Sequence, residues 1–91
     1  MPQIKITITP GTGVQSVTVH IDNIDVSYRT AVNPVSLSTG VHSLHWWFAG
    51  NSGNTLDITL DPADGGATLL KMSDVIAPGF PVEAGDKTFT L

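Results

Sequence analysis

Cysteine is absent from the 91 residues, which removes disulfide staples, thiolate zinc sites, iron–sulfur clusters and a cysteine nucleophile together. Charge is scarce as well. Charged residues make up 13% and the formal net charge is −4, against roughly a quarter charged residues in ordinary soluble domains. The surface must therefore be hydroxyl and amide rather than ionic. The four basic residues Lys5, Arg29, Lys71 and Lys87 are scattered singly, so no cationic stripe exists to neutralise successive phosphates, and nucleic acid is not expected as a partner. No stretch reaches the roughly 18 apolar residues of a membrane helix, so membrane insertion is not expected either. Met1-Pro2-Gln3-Ile4-Lys5 runs directly into alternation, without the basic and apolar regions of a signal peptide. The chain is then either intracellular or a mature or excised segment, and a surface or extracellular setting belongs to the second case.

What is present favours strands. Eleven threonines, seven serines and nine glycines stand beside a single glutamate, leaving few residues that prefer a helix. Ile4, Ile6 and Ile8 alternate with Lys5, Thr7 and Thr9, a period of two that puts three β-branched residues on one sheet face. Pro10-Gly11-Thr12-Gly13 breaks this strand. Val17, Val19 and Ile21 repeat the pattern, Asn23 marks a turn, and Ile24, Val26 and Tyr28 follow as a third strand. Asn33-Pro34 precedes a short fourth strand around Val35 and Leu37, expected at an edge because proline donates no amide. Val41 to Ala49 is the longest apolar-rich run and suits a central strand with most of both faces covered. Leu56, Ile58 and Leu60 form a sixth strand, closed by Pro62-Ala63-Asp64-Gly65-Gly66.

The pattern weakens beyond residue 66. Ala67 to Met72 is expected as a strand, Ser73 to Val82 as a loop tacked to the core by Phe80, and Gly85-Asp86 as a tight turn into a last strand from Lys87 to Leu91. Ninety-one residues is one domain. Seven to eight short strands, each with one apolar and one hydroxyl-rich face, predict an all-β fold: an antiparallel β-sandwich, Ig-like or a similar Greek key, over residues 1–91.

From Val17 to Gly50 a further pattern stands out: Val-x-Val-x-Ile-Asp-Asn, then Asn33-Pro34-Val35-Ser36-Leu37, then Thr39-Gly40-Val41-His42-Ser43-Leu44, ending at Phe48-Ala49-Gly50. This stretch resembles the PEGA-type module of bacterial surface and envelope proteins, in which a strand ends in an acidic turn, a proline introduces a short strand, and Gly-x-His opens the next. Ser16-Val17 stands where that family has a small Gly-Ala pair, and Asn23 where it has a turn glycine. The resemblance implies a non-catalytic, Ig-like binding or spacer module without a family-wide active site.

The densest cluster of functional residue types is His42, His45, Trp46 and Trp47. Alternation sends His42, Leu44, Trp46 and Phe48 to one side and Val41, Ser43, His45 and Trp47 to the other. The first side is the more apolar and should face the core, leaving His45 and Trp47 outward. His42 and His45 then point in opposite directions and cannot share a metal. His20 and Asp22 fall on the polar face of one strand, with Asp25 just past a turn, which reads more simply as a solvated His–Asp contact than as a metal site. Asp57, Asp61 and Asp64 invite a calcium reading, but Asp57 and Asp61 lie about 13 Å apart along an extended strand at roughly 3.3 Å per residue and cannot share one ion; only Asp61 with Asp64 could, and turns commonly use aspartates for Asx bonds instead.

Ser43, His45 and an aspartate are the only residues with the makings of a nucleophilic triad, and no nucleophile elbow or oxyanion-forming helix start accompanies them. The sequence therefore predicts no enzyme, no catalytic residue, no metal site and no cofactor. It predicts a β-sandwich module for protein interaction or structural support, with Trp47, His45 and Tyr28 at its contact surface. One alternative is a carbohydrate-binding module, with Trp47 as platform and the loop Asn51 to Asn54 supplying amides. The other is homo-oligomeric assembly through sheet edges, favoured by low charge and by terminal strands with few charged residues. Coverage of Trp47 by the Phe80 loop or the second sheet would oppose the first two.

Overall fold

The computed structural model describes residues 3–26 and 35–91; Tyr28, Arg29, Asn33 and Pro34 lie outside the described residues. Among the described residues eight strands follow one another: β1 (Gln3–Pro10), β2 (Ser16–Ile21), β3 (Ile24–Asp25), β4 (Val35–Ser36), β5 (Val41–Ala49), β6 (Thr55–Pro62), β7 (Leu70–Val75) and β8 (Val82–Thr90). They form two four-stranded sheets, ordered β4-β1-β6-β7 and β3-β2-β5-β8, and every pairing is antiparallel. The chain stays within one sheet at the turns β2 to β3 and β6 to β7, whereas the connections β1 to β2, β4 to β5, β5 to β6 and β7 to β8 cross between the sheets.

The period-two pattern explains the core. Ile4, Ile6 and Ile8 of β1 meet Leu56, Ile58 and Leu60 of β6 on the inner face of the first sheet, and Val19 and Ile21 of β2 join Leu44, Trp46 and Phe48 of β5 on the inner face of the second. Most of these side chains are completely removed from water. Each such burial stabilises by about 1.5–3 kcal/mol relative to exposure, so the two sheets are bound to each other through their apolar faces. As expected, β4 is an edge strand, and β5 occupies the residues read from its sequence.

Several expectations are corrected. The strand β5 is central in its sheet but only one of its faces is covered, since Val41, His45 and Trp47 remain exposed. Phe80 does not tack a loop to the core; it is 63% exposed, and the buried residue of that segment is Ile76. The seventh strand begins at Leu70 rather than Ala67 and continues to Val75.

The last strand starts at Val82, and Gly85-Asp86 is strand rather than turn. Gly85 lies opposite Trp46 in the ladder, and a Cβ on it would sit 2.4 Å from Cζ2 of that indole. Glycine is there to admit the ring, a role that reads in sequence like a turn signal. Among the described residues the edges of the two sheets are β4, β7, β3 and β8, so the N-terminal strand β1 is internal and, of the two terminal strands, β8 alone lies at an edge.

Candidate functional site

The two adjacent tryptophans separate the molecule's inside from its outside. Trp46 is 7% exposed and Trp47 is 42% exposed. The Trp46 indole crosses the sandwich, and its Nε1–H donates to Oδ2 of Asp74 on β7 at 2.8 Å, tying the central strand of one sheet to the edge of the other. Trp47 stands on the outer face of the β3-β2-β5-β8 sheet, with Thr18 opposite on β2 and Ala84 opposite on β8. Both neighbours are small, so the indole is flanked by side chains that do not rise above it. The second sheet packs against the opposite, inner face, and Trp47 keeps 42% of its surface exposed.

The next ladder position on this face holds the second predicted residue, His45. Its partners are His20 on β2 and Asp86 on β8, and His20 in turn lies opposite Asp25 on β3. An acid, two imidazoles and an acid thus form one row across four strands. The pairing of His20 with His45 is invisible along the chain because it depends on the β2–β5 register. Tyr28, the third predicted contact residue, lies outside the described residues.

Asp22 is not on the polar face of β2. It occupies the turn between β2 and β3 with φ of 52°, in the left-handed region that aspartate tolerates better than most residues. Its backbone N–H donates to the Ser43 carbonyl at 2.8 Å, while its own carboxylate Oδ1 accepts the Ser43 N–H at 3.0 Å. The other oxygen, Oδ2, lies 2.6 Å from His42 Nδ1. His42 Nε2 lies 2.8 Å from the Ser38 carbonyl, and its ring packs on Phe89 with centroids 5.7 Å apart.

Both ring nitrogens of His42 thus face acceptors, which only the doubly protonated imidazole satisfies in full. The Asp22 hydrogen bond, then the Ser38 carbonyl, raise the His42 pKa above its ordinary value, with burial opposing. The same bond, followed by the Ser43 amide, holds the Asp22 carboxyl below its ordinary range. An Asp–His pair supplies two of the three members of a nucleophilic triad, but here Nε2, the nitrogen that would activate a hydroxyl, is spent on a backbone carbonyl. The pair pins the β2–β3 turn and the segment before β5 to the start of β5.

Other polar candidates also have local structural partners. Asn54 Oδ1 accepts the Asn51 amide at 2.8 Å and its Nδ2 donates to the Thr12 carbonyl at 3.1 Å, so this amide joins two loops. Thr68 Oγ1 donates to Asp61 at 2.7 Å, Ser73 donates to Asp57, and Asp64 accepts the Gly66 N–H at 3.2 Å in the expected Asx fashion. Among the described residues, no three histidine or acidic side chains converge on a point that could hold a metal ion, and no helix is long and apolar enough to cross a membrane. No family model matches the chain, and neither the curated proteins nor the solved structures give a match.

Proposed function

We propose that the chain is a non-catalytic β-sandwich module, akin to PEGA-type and Ig-like domains, that binds a protein partner through the outer face of its β3-β2-β5-β8 sheet. The observation that carries this reading is the exposure of Trp47, 42%, on a face where its ladder neighbours Thr18 and Ala84 are both too small to cover the ring. A tryptophan that is already fixed by a sheet loses little freedom on association, and such residues dominate interface energetics, at about 2 kcal/mol or more where they are hot spots. His45 adds a polar contact beside it. The Asp22–His42 pair, whose Nε2 lies against the Ser38 carbonyl, acts in this reading as a structural clamp.

The carbohydrate alternative is weaker, because within the loop Asn51 to Asn54 the Asn54 amide is committed to the Asn51 backbone N–H and the Thr12 carbonyl. Assembly through the longer edges would have to use β7 or β8, which carry Lys71 and Asp74, and Glu83, Asp86 and Lys87, respectively. Affinity capture from host extract with wild type, Trp47→Ala and the surface control Val75→Ser tests the proposal. The expected result is a set of proteins held by wild type and control and lost with Trp47→Ala at unchanged melting temperature. Identical capture by all three overturns it, and a Trp47-dependent signal confined to a glycan array transfers the face to carbohydrate.

A further inference from the structure

We infer that His20 and His45 form a two-imidazole site for a divalent transition metal on the outer face of the β3-β2-β5-β8 sheet. The inference stands on strand register and not on the protein-binding reading of Trp47. His20 lies directly opposite His45. Each sits between two buried neighbours, Val19 and Ile21 for the first and Leu44 and Trp46 for the second, so both side chains leave the sheet on the same side. Directly opposed residues on one face have Cβ atoms about 4.5–5.5 Å apart. Two imidazoles rooted at that spacing can converge on one ion at the ~2.0–2.1 Å typical of a metal–nitrogen bond.

The surroundings favour a cation. Asp86 follows His45 in the row and Asp25 follows His20, so the imidazoles are bracketed by carboxylates. Among the described residues no lysine or arginine projects from this face: Lys5 and Lys71 belong to the other sheet, and Lys87 lies opposite the inward Leu44. The whole chain carries a net charge of −4. Only two protein ligands are brought together, and water completes the coordination. An open site of two imidazoles with water oxygens is served best by copper(II), which heads the divalent series for nitrogen ligands. Asp86 lies opposite His45 in the ladder, the position from which a carboxylate can accept the ring N–H that a bound metal leaves unused, as carboxylates do behind metal-bound histidines.

The composition permits a clean test. No cysteine competes, and the third histidine, His42, has both nitrogens engaged by Asp22 and Ser38. Trp47 is two residues from His45 on the same face, so copper(II) held by the pair will quench its emission. Titrating the untagged chain with copper(II) should give saturable quenching at one equivalent, together with a rise in melting temperature, because a ligand that binds only the folded chain stabilises it. His20→Ala and His45→Ala should each abolish both effects, and Asp86→Asn should weaken binding about tenfold. Circular dichroism confirms that the surface variants are folded. Quenching and stabilisation that persist in both histidine variants, or that never saturate, overturn the site.

Discussion

Replacing Gly85 with alanine should destabilise the protein, although the same exchange within a strand ordinarily gains about 0.5–1 kcal/mol. The added Cβ would lie 2.4 Å from Cζ2, 2.8 Å from Cε2 and 3.2 Å from Cη2 of Trp46, where carbon atoms at rest keep about 3.5–4.0 Å. The indole cannot swing clear without cost. It is buried, and its N–H is held by Asp74 at 2.8 Å. Either β8 moves away from β5 or the ring gives up its hydrogen bond. Overpacking of this kind costs about 1–3 kcal/mol, and a stranded N–H costs a similar amount.

A net loss of about 1–3 kcal/mol lowers the melting temperature of a domain this size by about 4–8 °C per kcal/mol. Urea unfolding followed by circular dichroism should show the midpoint falling at constant slope. Trp46→Phe removes the atoms that clash, so the double variant should recover part of the loss, with a coupling of about 0.5–3 kcal/mol. A Gly85→Ala chain as stable as wild type, or more so, refutes the close approach and the reason given for this glycine.

The His42 contribution to stability is fully present below the ordinary value of 6.5 and is lost as pH rises through the raised value in the fold, whereas the Asp22 contribution is present above 3.8 and is lost as pH falls through its lowered value. Urea midpoints should therefore be highest between about pH 4 and 6.5 and decline toward pH 8, with His42→Gln flattening the alkaline limb; a wild-type midpoint that climbs from pH 6 to 8 contradicts the clamp. Asp22→Asn should retain more stability than Asp22→Val, because a β-branched residue is strained at φ of 52°; the reverse order in thermal melts counts against the turn geometry. Phe48→Ala, at a fully buried position, should cost about 3–5 kcal/mol. Phe80→Ser should stay within about 0.5 kcal/mol, and a large loss there would restore the core role that the sequence suggested.

The alternation of apolar and hydroxyl residues made β1, β2, β5 and β6 legible, because a period of two needs no knowledge of partners. The same rule separated Trp46 from Trp47, and so the candidate face. What stayed hidden depends on contacts between distant segments. Gly85 resembles a turn residue until the Trp46 ring is seen above it. Asp22 reads as a strand residue until its left-handed backbone sends the carboxylate to His42, 20 positions away. Phe80 looked like a core residue because hydrophobicity does not reveal which of two apolar residues in a Pro/Gly-rich segment turns inward; Ile76 does. The His20–His45 pairing required the β2–β5 register, which no local pattern specifies.

The central claim is that consecutive tryptophans face opposite ways and that Trp47 presents an open surface. Acrylamide quenching of two single-tryptophan chains measures this directly. The Trp46→Phe chain, which retains Trp47, should emit at longer wavelength and be strongly quenched, while the Trp47→Phe chain, which retains Trp46, should be shielded. Equal shielding of both indoles, or the reverse ranking, would contradict the account.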